Sequence, residues 1–191
     1  MTNIAIMASG NGSNFQAIID AYNEKKLEVD KIILITNKKN CFAIKRAQQN
    51  NIKNYNFFLK DYPSKEEYEK DILKVLKEEN IDYVILAGYM TMISNTLLSH
   101  YERKIINTHP SLLPSFKGKD AIQDALDYKV YLAGFTIHYV NIEMDAGEII
   151  FQKEVRVYKD DTHDTLQKRI QEQEHIYYWQ IINKVIKGEK I

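Results

Sequence analysis

From residue 3 to residue 108, short apolar runs alternate with stretches of helical period. Residues 3–8 form the first run, β-branched in part, and end at Ser9-Gly10-Asn11-Gly12. That pattern reads as a buried strand running into a tight turn. Ser13 is the expected N-cap of the helix that follows, whose apolar positions are Phe15, Ile18, Ile19 and Tyr22. Further strands are expected at residues 31–36, 53–58, 82–87 and 104–108. Between them come helices at 42–50, from a Ser64 cap through Tyr68, Ile72, Leu73, Val75 and Leu76, and at 93–101. The run at 82–87 is continuously apolar, as expected when both sheet faces are covered. Strand and helix alternating in this way predict an open, mostly parallel, doubly wound α/β sheet.

The pattern changes after Pro114. Residues 120–128 carry Ala121, Ile122, Ala125 and Leu126 at helical spacing. Residues 131–140 and 148–155 alternate apolar and polar side chains, and are expected to pair antiparallel through the turn at Asp145-Ala146-Gly147. Asp161 or Thr162 is expected to cap a long last helix with the stripe Leu166, Ile170, Tyr177, Tyr178, Ile181, Ile182 and Val185. The expectation is one domain over residues 1–191: a Rossmann-like sheet, mostly parallel, with an antiparallel C-terminal part.

Composition narrows the function classes. Lys+Arg and Asp+Glu both number 26, so no overall field favours nucleic acid or an anionic membrane. The longest apolar run, residues 84–90, is too short to span a bilayer. Met1-Thr2-Asn3 lacks the basic start of a signal peptide. Cys41 is the single cysteine, which excludes an internal disulfide and suits a reducing cytoplasm. With no His near it in sequence, Cys41 reads as a small buried residue rather than a nucleophile.

Candidate chemistry gathers in three places. In Ser9-Gly10-Asn11-Gly12-Ser13-Asn14 the glycines allow a close backbone approach to a ligand, and free N–H groups at a helix start face an anion. The loop is either a phosphate site or an ordinary strand-to-helix turn. It is a poor dinucleotide fingerprint, because Phe15 replaces the third glycine and Thr36-Asn37 stands where an acidic residue is expected. The second place is Asn107, His109, Thr136, His138 and Asp145. Asn107 and His109 lie two apart, so on an extended segment both point to one side. An amide donor and an imidazole there suit an acyl-transfer oxyanion, with Asp145 placed to orient His109 and favour its charged form. The bland reading is a core histidine and a turn aspartate. No HExxH, cysteine cluster or G-x-S-x-G is present, which argues against zinc and against a serine hydrolase. The third place is Glu174, on the apolar stripe of the last helix, either at its solvent edge or facing a polar ligand.

These residues carry a family resemblance. Gly10-Asn11-Gly12-Ser13-Asn14, Leu86-Ala87-Gly88-Tyr89-Met90, Asn107-Thr108-His109-Pro110-Ser111-Leu112-Leu113-Pro114 and Asp145-Ala146-Gly147 together resemble the phosphoribosylglycinamide formyltransferases, over residues 4–185. The His-Pro-Ser-Leu-Leu-Pro segment marks folate-dependent formyltransferases as a class, and the glycine loop narrows that class. The resemblance implies formyl transfer from 10-formyltetrahydrofolate, as co-substrate, to the amine of 5-phosphoribosylglycinamide in purine synthesis, without a metal. It implies Asn107, His109 and Asp145 as the catalytic trio. Gly12, Ser13, Asn14 and Glu174 would meet the ribonucleotide. Lys65, Met90, Thr91, Met92, Ile93, Asn141, Ile142, Glu143 and Met144, together with Asn107 and Asp145, would form the folate side.

Two positions depart from the family pattern: Thr91 stands where relatives often have Arg, and Lys65 where some have it. Thr91 is expected to alter folate affinity rather than abolish binding. Related activities are weighed against the same residues. A 10-formyltetrahydrofolate hydrolase would use nearly the same trio but is expected to have an extra N-terminal domain and no phosphate loop. A methionyl-tRNA formyltransferase is expected to have a further C-terminal domain and a basic face. A non-enzymatic nucleotide-binding module would explain the glycine loop but not the trio. The expected partners are small molecules only, on a monomer or homodimer.

Overall fold

β1 (Asn3–Ala8) shows how the chain divides its apolar residues. Ile4, Ile6 and Ala8 face one core, and Ala5 and Met7 face the other. Side chains alternate across a strand, so a continuous apolar run can only be satisfied with cover on both faces. The computed structural model describes residues 2–191. In order after β1 come α1 (Ser13–Asn23), β2 (Lys31–Thr36), α2 (Phe42–Gln49), β3 (Lys53–Asn56), α3 (Lys65–Glu78), β4 (Tyr83–Leu86), α4 (Asn95–Leu98), β5 (Ile105–His109), α5 (Ala121–Asp127), β6 (Leu132–Tyr139), β7 (Ile149–Arg156) and α6 (His163–Lys187). The first core lies under α1, α2, α5 and α6, and the second under α3 and α4.

The seven strands run in the order β3-β2-β1-β4-β5-β6-β7. Pairs from β3 to β5 are parallel; β6 and β7 are antiparallel additions. The expected mostly parallel, doubly wound sheet with an antiparallel C-terminal part is the observed one. The winding reverses between β1 and β4. In such sheets the crevice beyond the strand C-termini at the reversal is where ligands bind.

Local signals fix several of these elements. Ser64 Oγ accepts from Glu67 N at the start of α3, and Thr162 and Thr165 form a reciprocal capping box on α6. The Tyr178 hydroxyl of α6 reaches the carbonyls of Leu86 and Ile106 at 2.8 and 3.2 Å, tying that helix to β4 and β5. Two local expectations fail. Gly12, in the left-handed region (φ 72°), is the N-cap of α1, and Ser13 is its first residue. Glycine suits that backbone, and an added Cβ would lie 3.0 Å from Ala43 Cβ. The helix expected at 93–101 is observed as Asn95–Leu98; its start is set by Ser94, which is the N-cap and is held by the buried Glu69.

Candidate active site

Two cavities open at the reversal point. The first, about 330 Å³, is lined by Gly88, Tyr89, Met90, Thr91, Met92 and Ile93 from the loop after β4. Asn107, His109, His138, Asn141, Glu143, Met144 and Asp145 complete much of its wall. The second, about 320 Å³, is lined by Gly10 to Asn14, Gln167, Gln171 and Glu174 among others. Gly88, Met90, Thr108 and Pro110 line both, so the cavities meet above the ends of β4 and β5.

β5 sets the polar centre. Asn107 pairs in register with His138 on β6, and His109 pairs with Thr136. His138 Nδ1 lies 2.9 Å from the Tyr139 carbonyl, which can only accept, so that nitrogen carries the proton. In the neutral ring Nε2 is then an acceptor, and Asn107 Nδ2 donates to it at 3.2 Å. The contact turns the Asn107 amide and leaves its second N–H free for a ligand. His138 is buried, and burial pushes its pKa down from the ordinary value; the Tyr139 carbonyl and Asp145 oppose that shift, and His109 adds to it.

His109 is also buried. Its Nε2 lies 2.9 Å from the Phe116 carbonyl and its Nδ1 3.4 Å from Asp145 Oδ2. With both ring nitrogens facing oxygens, an imidazolium can donate through each. Asp145 sits between the two imidazoles, with Oδ1 at 3.8 Å from His138 Nε2 and Oδ2 accepting from Gly118 N at 2.9 Å. Its backbone is left-handed (φ 48°), a region Asp enters more readily than most side chains. Two residues on, an added Cβ at Gly147 would fall 1.7 Å from the Tyr139 carbonyl oxygen, so only glycine fits. The connection 140–148 therefore holds Asp145 through a left-handed turn and a close backbone contact.

The loop after β4 is pinned from below. Ser9 N donates to Gly88 O at 3.0 Å, and Met90 N donates to Ser9 Oγ at 2.9 Å. The Tyr68 and Tyr89 hydroxyls hydrogen-bond, and Ser94 N donates to Glu69 Oε1 at 2.8 Å. Thr91 Oγ1 accepts from Asn37 Nδ2 at 2.8 Å. Met90, Met92 and Met144 are exposed around this cavity, an adaptable apolar rim.

In the second cavity α1 presents its N-terminus without a side-chain cap, and its first intrahelical donor is Gln16 N to Gly12 O. The N–H groups before Gln16 therefore have no helical partner. Glu174 is buried rather than at the solvent edge. Its Oε2 accepts from Asn14 Nδ2 at 3.0 Å and its Oε1 from Thr108 Oγ1 at 2.7 Å. Burial raises its pKa above the ordinary carboxyl value, against the pull of those two donors. Asn14 Oδ1 is buried without a partner among the described residues.

The fold thus brings Asn107, His109 and Asp145 into one cavity, and Gly12, Ser13, Asn14 and Glu174 into the other. Lys65, at the start of α3, and Ile142 line neither cavity. Thr136 is not a site group: its hydroxyl donates to Ser111 O and accepts from Leu113 N, bracing the segment after β5. Sequence reasoning left His138 outside the trio and passed over Thr108 and the Ser9 anchor. The alternation along β5 placed Thr108 opposite Asn107 and His109, but nothing local named Glu174 as its partner.

A doubly wound sheet carries an amide, an imidazole and a carboxylate at its reversal point, and residues 2–182 match the formyl transferase family, to which the chain belongs. More particularly, the chain is 40% identical over 194 residues to phosphoribosylglycinamide formyltransferase of Bacillus subtilis (strain 168), with all of both chains covered. The crystal structure of glycinamide ribonucleotide transformylase 1 from Geobacillus kaustophilus superimposes with a TM-score of 0.94 at 43% identity, covering 97% of this chain and 98% of that one. A formyltetrahydrofolate deformylase from Pseudomonas syringae pv. tomato shares the fold at TM-score 0.90. Its identity is lower, 26%, and this chain covers 62% of it.

Proposed function

We propose that this protein is a phosphoribosylglycinamide formyltransferase: it moves a formyl group from 10-formyltetrahydrofolate to the amine of 5-phosphoribosylglycinamide, giving formylglycinamide ribonucleotide for purine synthesis. The observation that carries the reading is the meeting of the two cavities at Gly88, Met90, Thr108 and Pro110. Formyl donor and amine acceptor can each occupy one cavity and still touch. The apolar rim and the loop after β4 suit a flat pterin, and the uncapped start of α1 suits the phosphate of the acceptor.

Attack by the neutral amine on the formyl carbon puts negative charge on the formyl oxygen. Asn107 donates the N–H that His138 leaves free, and His109 donates from Nδ1, the ring nitrogen its 3.4 Å separation from Asp145 leaves loosely held. Each such donor is worth about 10²–10³ in rate. The amine loses a proton and the departing folate nitrogen gains one; His109 and Asp145 are the titratable pair beside both. Glu174 accepts a hydrogen bond from the ribonucleotide while Asn14 offers its unmatched Oδ1. Holding both reactants in line supplies much of the remaining acceleration. Lys65 and Ile142 keep a folate-side role only outside the cavity wall, toward the distal part of the donor. A cytoplasmic site of action accords with the single, buried, free thiol of Cys41.

The test is turnover of 10-formyltetrahydrofolate by purified protein with and without the glycinamide ribonucleotide. Strictly acceptor-dependent turnover is expected. Equal turnover without acceptor would make the protein a hydrolase.

A further inference from the structure

The glycine loop that opens the second cavity is held from behind by α2. Arg46, on that helix, directs Nε to the Asn11 carbonyl at 3.0 Å and Nη2 to Asn11 Oδ1 at 2.8 Å. Its Nη1 lies 3.1 Å from Gln16 Oε1 on α1. The guanidinium also sits 4.7 Å from the ring centroid of Phe42, one helical turn away, which fixes its plane. At the other end of the same contact, Ala43 N donates to Gly10 O at 3.3 Å. The Gly10 and Asn11 carbonyls therefore face α2.

Peptide geometry turns that into a statement about the cavity. In a planar trans peptide the C=O and the following N–H point in opposite directions. A Gly10 carbonyl aimed at Ala43 sends the Asn11 N–H away from α2. An Asn11 carbonyl aimed at Arg46 does the same to the Gly12 N–H. Asn11 and Gly12 line the second cavity. Neither N–H meets an acceptor among the described residues. Without Arg46 the Asn11–Gly12 peptide loses the strongest reason to keep that orientation, since a glycine flank makes a flip cheap.

We propose that Arg46 is a positioning residue for anion recognition: its two-pronged grip on Asn11 holds the Gly12 N–H toward the phosphate of the acceptor. This rests on the reading of the second cavity as the ribonucleotide side. Arg46 does not touch the phosphate itself, and its role needs the fork geometry as well as the charge. A lysine at that position keeps the charge but cannot bond the Asn11 carbonyl and side chain in one plane.

The experiment measures inorganic phosphate binding by calorimetry to wild type, Arg46→Lys and Arg46→Gln, alongside steady-state kinetics with both substrates. Phosphate affinity is expected to fall about tenfold or more in both variants, the scale of a charge-assisted hydrogen bond. Acceptor KM should rise in step, while donor KM stays within twofold and kcat at saturating acceptor falls less than threefold. An unchanged donor KM shows that the fold is intact. Phosphate affinity unchanged in Arg46→Gln overturns the proposal, and full recovery in Arg46→Lys overturns the geometric role. Asn11→Ala, which removes only the Oδ1 contact, should give a smaller loss; an equal or larger loss than Arg46→Gln also counts against it. The two readings fail separately. Arg46-dependent phosphate binding without transfer would sink the assigned reaction, and transfer with Arg46-independent phosphate binding would sink this inference.

Discussion

Replacing Glu174 by Gln should make the protein more stable and a worse enzyme, and the two effects have separate origins. The carboxylate is buried and accepts from Asn14 Nδ2 and Thr108 Oγ1. An amide of the same shape keeps one oxygen for Thr108 and turns an NH₂ toward Asn14. Asn14 can answer by rotating its own amide, because its Oδ1 is buried and unmatched. One hydrogen bond is then exchanged for another, and the Asn14 amide keeps one unmatched end, so the exchange itself is about neutral. The gain in stability comes from loss of the buried charge. The Glu174 pKa is raised on folding, burial being the largest cause, so the folded state holds the proton more tightly than the unfolded chain. Below the ordinary value of 4.5 both states are protonated and burial of the charge costs nothing. As pH rises through the raised folded value the cost develops in full, so the variant's advantage should be small in acid and largest at neutral pH and above. In a chain of this size each kcal/mol corresponds to about 2–4 °C in Tm. Binding moves the other way: a hydrogen bond to a charged acceptor is worth about 1.5–3 kcal/mol, so ribonucleotide KM should rise roughly ten- to a hundredfold. Thermal unfolding at pH 5 and pH 8, with KM for each substrate, tests both halves. A variant less stable than wild type at pH 8, or an unchanged ribonucleotide KM, refutes the reasoning.

Asp145→Asn keeps an oxygen for Gly118 N, so its melting temperature should stay close to wild type while transfer falls about 10²–10³-fold; near-normal kcat would remove Asp145 from the mechanism. Gly147→Ala drives a methyl against the Tyr139 carbonyl and should shift the 140–148 connection, costing about 1–3 kcal/mol in urea unfolding and raising donor KM; a normal donor KM would show that the connection is not held there. The His138 imidazole, its pKa lowered mainly by burial, should titrate below 6.5 in an NMR titration. As pH falls through that window the unfolded chain takes up the proton first, so stability declines, and Asn107 loses the Nε2 lone pair that aims its amide. A transition above 6.5 would contradict the neutral-ring assignment.

The sequence was most legible where a requirement is local. The continuous apolar run of β1, the Ser64 and Thr162 caps and the alternation of β6 each follow from near neighbours, and each is where the pattern put it. The spacing of Asn107 and His109 likewise sent both to one cavity, because strand period needs no distant partner. Ser13 failed as a cap because the chain turns left-handed at Gly12, a choice set by α2 packing on the loop. The start of the helix expected at 93–101 was moved to Asn95 by a carboxylate on α3 that the window around it does not contain.

Sequence by itself determined the fold class, the strand that carries Asn107 and His109 and the residue types that line both cavities. Tertiary structure decided how those groups are aimed. His138 orients Asn107 across an antiparallel register formed with a strand well downstream. Glu174 is taken out of water by α6 lying over the end of β5, where Thr108 and Asn14 meet it. Composition places such groups in a chain, but a hydrogen bond is short and directional, so its partner exists only once the sheet has closed.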